Sequence, residues 1–116
     1  GLIDKSMYAL LIKADLVIAD ISTANPNAIY ELGIRHAVKP YATLIIKEDA
    51  GKIPFDLDHT RIFQYKHLGE DLGADEAKDS QDKLIKLIES ITKESLTDSP
   101  MYEYINIDPP TISEEE

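Results

Sequence analysis

Cysteine is absent from the chain, which excludes disulfides, thiolate catalysis and zinc–sulfur sites together. Long apolar runs are missing too: hydrophobic residues make up 43% of the whole but fall in short blocks. None approaches the roughly 20 residues that a membrane-spanning helix needs, and no signal-peptide pattern is visible. Membrane contact is therefore not expected, and a cytoplasmic location is the default. Positive charge is scarce, with 12 Lys and Arg against 22 Asp and Glu and a formal net charge of −10. Such a surface repels phosphate backbones, whose binding depends on cations that neutralise them, so a polymeric nucleic acid is not an expected partner. No Gly-rich phosphate loop of the dinucleotide or Walker type occurs. Of the three histidines, His59 and His67 stand alone in loop-like sequence. Asp56, Asp58 and His59 read as a solvated turn, so neither a metal site nor a resident cofactor is expected.

What is present reads as one α/β domain over residues 1–96, followed by an extended acidic tail over 97–116 that ends in three glutamates. A length of 116 residues suits a single core. Leu2, Ile3, Met7, Leu10 and Leu11 recur at helical spacing, with Asp4 placed for the positive end of the helix dipole, and the helix ends near Lys13. Residues 15–21, DLVIADI, form an unbroken apolar block suited to a strand buried on both faces of a parallel sheet. The turn formers at 22–27 follow, with Asn25 as N-cap and Pro26 at the first helical position. The helix they open runs to Val38 and stops before Pro40. Its apolar residues are spread nearly all round, which implies burial.

Residues 41–47 form a second buried strand and complete a βαβ unit, for which a right-handed crossover is expected. A loop over 48–58 and an edge strand over 60–65 come next. The polar stretch 66–79 reads as a surface loop. Ser80 is then expected to cap an amphipathic helix with Leu84, Ile85, Leu87, Ile88 and Ile91 on its apolar stripe. Three strands are few for a doubly covered sheet. Because the chain opens on a helix and not on Met, the reading is a C-terminal fragment lacking its N-terminal strand or strands. A homo-oligomer through the sheet edge or the tail is the expectation that follows.

The chemistry is expected at the carboxyl ends of the strands, where open α/β sheets bind ligands. Asp20, Ser22, Thr23, Asn25 and Asn27 lie in that loop, beside a helix N-terminus that favours an anionic or polar ligand such as a phosphate or a sugar hydroxyl. Glu31 is about one and a half turns into the helix, flanked by Ala28, Ile34 and Val38. It is placed to be partly desolvated and to serve as nucleophile or general base. The plainer alternative is an i,i+4 ion pair between Glu31 and Arg35. His36 is expected to act as a structural cation near the helix end, and Gly33 to let the helix pack closely on the strand.

The run ADLVIADISTANPNAIYELGIRHA at 14–37, with KPYATLII after it, resembles the motif shared by the nucleoside 2-deoxyribosyltransferase-like and TIR-like families. The resemblance implies a flavodoxin-like or Rossmann-like parallel sheet with flanking helices. It also makes Glu31 the catalytic carboxylate, acting on C1 of a ribosyl group as an N-glycosidic bond breaks, with Asp20, Ser22, Asn25 and Asn27 binding the substrate. NAD, a nucleotide or a nucleoside would be substrate and not cofactor. The sequence departs from the deoxyribosyltransferases at Asn25, where those enzymes carry an aspartate. PFD at 54–56 and SPMYEYINIDPP at 99–110 resemble bacterial TIR-like domains that accompany TPR or TRAF-binding-type regions. The alternative this implies is a non-catalytic ligand-sensing or protein-interaction module of a signalling protein.

Overall fold

The computed structural model describes residues 4–23, 25–48, 62–65, 73–94 and 97–112. Helix α1 (Lys5–Lys13) opens on Asp4, whose side chain accepts from the Met7 backbone N–H at 3.1 Å, satisfying one of the free donors of the first turn. Strand β1 (Val17–Asp20) leads through the turn into helix α2 (Pro26–Val38). There Asn25 caps as its sequence position predicts: its side chain accepts from the Asn27 N–H at 2.9 Å, and Pro26 occupies the first turn, where no N–H is needed. Strands β2 (Thr43–Glu48) and β3 (Ile62–Tyr65) complete a parallel sheet in the order β1-β2-β3. The chain is thus an α/β fold in which a small three-stranded parallel sheet carries flanking helices.

Strand register sorts the side chains into two faces. Ala19 pairs with Ile45, and Ile45 with Ile62. With Ile21 these residues meet Leu32 and Ile29 of α2 in the main core cluster. Burying a side chain such as Leu32 or Ile45 contributes about 1.5–3 kcal/mol each, so this interface fixes where α2 sits on the sheet. The opposite face carries Ile18, Leu44, Ile46 and Phe63, one residue out of step. Leu44 is fully buried, whereas Ile18, on edge strand β1, stays 45% exposed.

Helix α3 (Ala74–Lys93) begins six residues before Ser80, inside the stretch whose polarity reads as loop. Gly73 and not Ser80 is its N-cap. The acids Asp75 and Glu76 in the first turn suit the positive end of the dipole, and Ala74 and Ala77 are strong helix formers. The apolar stripe behaves as expected at Leu84, Leu87, Ile88 and Ile91, with Ile91 buried, but Ile85 is exposed. Gly33 departs from its expected role. It lies exposed on α2, and a Cβ added there would meet nothing within 4 Å, so it is not a close-packing residue.

The segment after residue 96 is not simply extended. Asp98 and Ser99 are buried, and a short helix α4 (Pro100–Tyr104) follows. The Asp98 N–H donates to the Pro40 carbonyl at 2.7 Å, Asp98 Oδ2 accepts from the Thr43 N–H at 2.9 Å, and the Tyr102 hydroxyl donates to the Ala37 carbonyl. These bonds strap the segment to the end of α2 and the amino end of β2. Ala42, just before that strand, has φ 47°, and its carbonyl accepts from the Val17 N–H at 3.0 Å where β1 and β2 begin to pair. The loop expected at 48–58 and the residues around His59 and His67 lie outside the described residues.

Candidate functional site

The last residues of the strands meet at the carboxyl edge of the sheet. Asp20 ends β1, Glu48 ends β2 and Tyr65 ends β3. Asp20 Oδ1 accepts from the Ser22 N–H at 2.9 Å and from the Ser22 hydroxyl at 2.6 Å, while its Oδ2 accepts from the Tyr65 hydroxyl at 2.9 Å. Ser22 Oγ also accepts from the Glu48 N–H at 2.9 Å and lies 3.1 Å from the Tyr65 hydroxyl oxygen. One side-chain cluster thereby ties all three strand tips together. Burial pushes the Asp20 carboxyl up, but the hydrogen bonds from the Ser22 side chain and backbone and from Tyr65 outweigh it and hold Asp20 below the usual carboxylate range. For Tyr65 the Ser22 contact works downward, while the hydrogen bond to Asp20, burial and the charges of Asp20 and Glu48 win and hold the phenol above its ordinary value. Near neutral pH the cluster is a carboxylate accepting from two intact hydroxyls.

Of the residues expected from sequence, Asp20 and Ser22 are brought together here. Asn25 and Asn27 are joined to each other at the start of α2, where Asn25 is occupied as the cap. Glu31 is half-buried on α2, and none of the cluster's hydrogen bonds reaches it. Tyr65 is the member that sequence reading missed. As the last residue of an edge strand its role depends on the register of β3, which no local pattern encodes.

The expected Glu31–Arg35 ion pair is replaced by something quite different. Arg35 is fully buried, and its guanidinium donates to the carbonyls of Leu11 at 2.6 Å, Ala14 at 2.8 Å and Tyr41 at 2.8 Å, and to Thr43 Oγ1 at 3.2 Å. Burial draws its pKa down, and the charges acting against that belong to Asp15 and Asp98, not to Glu31. The residue is a lock between α1, α2 and the start of β2. His36 is likewise not a cation at the helix end. It is buried, its Nε2 has no hydrogen-bond partner, and burial pushes its pKa down to about 4, so it is neutral at neutral pH.

A half-open cleft of about 650 Å³ lies between α3 and the β2–β3 part of the sheet. Ile46 and Phe63 line it, and Tyr65 stands at the junction between the cleft and the strand-tip cluster. Since Ile46 and Phe63 alternate with the core residues Ile45 and Ile62, the cleft opens on the face of the sheet opposite α2 and Glu31. Among the described residues there is no group of three or more His, Asp or Glu that could hold a metal ion. No described helix is long and apolar enough to cross a membrane. Compared with protein-family models, curated proteins and solved structures, the chain matches none.

Proposed function

We propose that the chain is a nucleoside- or nucleotide-binding α/β domain of flavodoxin-like design and TIR-like or deoxyribosyltransferase-like kind, which holds its ligand at the carboxyl edge of the sheet. In this reading Glu31 is the carboxylate for cleavage of an N-glycosidic bond in NAD, a nucleotide or a nucleoside. The observation that carries the reading is the strand-tip cluster. Asp20 and Ser22, from the motif strand and its turn, are oriented with Tyr65 beside the capped start of α2. Arg35, turned wholly to backbone carbonyls and Thr43, leaves the Glu31 carboxylate out of an i,i+4 pair. In the reaction the departing base takes the electron pair of the bond and a proton, Glu31 attacks or faces the electron-poor C1, and water, which supplies that proton, leaves its oxygen on C1.

The test is base release from NAD, nucleoside monophosphates and deoxynucleosides, followed by chromatography for the wild type and Glu31→Gln. Release that depends on Glu31 is the expected result, and release unchanged in the variant removes Glu31 from the mechanism. A second reading, a non-catalytic ligand-sensing or interaction module of a cytoplasmic signalling protein, is favoured by one observation: the cleft lies across the sheet from α2. Binding without any turnover supports that module. Self-association through the exposed edge of β1, near Ile18, belongs to the same reading.

A further inference from the structure

The Asp20, Ser22 and Tyr65 oxygens form a closed triangle of three contacts, at 2.6, 2.9 and 3.1 Å. A serine and a tyrosine hydroxyl each bring one proton. With Asp20 ionised both protons are spent on the carboxylate, so the third contact brings two lone pairs together. The Glu48 N–H already supplies Ser22 Oγ at 2.9 Å, so the acceptor of the cluster left without a donor is the Tyr65 hydroxyl oxygen. Tyr65 carries this need to the cleft, because the same residue lines it. The walls there are apolar at Ile46, Phe63 and Leu84, and the rim bears Glu76 and Asp79. The lining cation, Lys83, pairs with Asp79 at 3.0 Å. A half-open cavity of about 650 Å³ with apolar walls and a few polar groups falls within the usual range for small-molecule sites.

We propose that the cleft between α3 and strands β2–β3 binds a flat, non-anionic small molecule that donates a hydrogen bond to the Tyr65 hydroxyl oxygen. Its ring lies against Phe63, Ile46 and Leu84, and its donor meets the Tyr65 oxygen. Within the cleft anions are disfavoured, since the Tyr65 oxygen and the Glu76 and Asp79 rim offer lone pairs and negative charge where an anion needs donors. This site shares Tyr65 with the strand-tip cluster, but it lies across the sheet from Glu31 and requires no turnover, so it does not rest on the N-glycosidic reading.

Three probes of matched shape distinguish the charge classes: benzamidine (cation), benzamide (neutral) and benzoate (anion). Each is titrated into the isotope-labelled full chain while the Phe63, Tyr65 and Leu84 resonances are followed by NMR. Benzamidine and benzamide are expected to shift all three residues, with benzoate at least about ten-fold weaker, the ratio set by one hydrogen bond. Tyr65→Phe weakens benzamidine by about ten-fold, Leu84→Trp fills the cleft and abolishes the shifts, and Glu31→Gln leaves them unchanged. Benzoate binding as tightly as benzamidine, or no shift at these residues with any probe, overturns the proposal without need of a variant. Loss of the shifts in Glu31→Gln overturns it too, by placing the ligand on the other face while leaving the N-glycosidic reading intact.

Discussion

The two ends of the sheet are built from similar polar side chains and behave in opposite ways. At the amino edge Arg35, Thr43 and Asp98 are all buried, and the Arg35 nitrogens each donate to an oxygen of the protein. Thr43 gives its N–H to Asp98 and its hydroxyl to the Tyr41 carbonyl. At the carboxyl edge Asp20 is exposed, and its two carboxylate oxygens, Ser22 Oγ and the Tyr65 oxygen are served by two hydroxyl protons and the N–H groups of Ser22 and Glu48. A satisfied, dry network holds elements in place, because removing any member leaves partners unpaired away from water. A wet network is cheap to perturb, because water takes the place of whatever is removed. The first edge is the frame, and the second is the edge open to solvent.

The sharpest way to break this contrast is to remove the frame. Arg35→Met leaves the carbonyls of Leu11, Ala14 and Tyr41 without their donor, with an expected loss of about 3–4 kcal/mol in urea unfolding. Next in size is the pH response of His36, which is held in the frame's helix without a partner for Nε2. Its folded pKa, about 4, lies below the ordinary histidine value of 6.5. Between those values the unfolded chain binds the proton more readily, so stability falls with falling pH. The contribution is fully present above about pH 6.5, is lost as the pH drops to about 4 and is constant below. The total is on the order of 3 kcal/mol. Unfolding curves for the wild type and His36→Phe over this range isolate it, and the difference between their slopes is the expected signal.

Asp98→Ala tests whether the segment after residue 96 belongs to the frame. It removes the acceptor of the buried Thr43 N–H and is expected to cost about 1–3 kcal/mol. The smallest expected effect has the opposite sign. Gly33 sits exposed inside α2 with room for a Cβ, so Gly33→Ala should stabilise by about 0.5–1 kcal/mol, read as a rise in melting temperature.

Local rules made most of α1, β1 and α2 legible, because their signals lie within a few residues. The Asn25 cap, Pro26 at the helix start, a strand within 15–21 and the stop before Pro40 are all of this kind, although that strand is not buried on both faces as its apolar block suggests, since Ile18 is exposed. What escaped depends on distant partners. Arg35 reads as half of an i,i+4 pair with Glu31, yet three backbone carbonyls from α1 and the β2 approach outcompete a solvated pair worth a few tenths of a kcal/mol. His36 reads as a dipole-complementing cation until burial makes the charged form costly. The start of α3 was hidden because polarity alone does not separate a loop from the solvated first turns of a helix. The candidate site was half legible: Asp20 and Ser22 announce themselves beside a helix cap, whereas Tyr65 joins them only through the pairing of β2 with β3.

The contrast between frame and site is tested most directly by measuring the unfolding free energies of Tyr65→Phe and Arg35→Met side by side in urea. Tyr65→Phe removes one hydroxyl from an exposed cluster where water takes its place, so a loss below about 1 kcal/mol is expected against about 3–4 kcal/mol for Arg35→Met. A Tyr65→Phe variant as unstable as Arg35→Met would contradict the account, making the carboxyl edge a second structural lock.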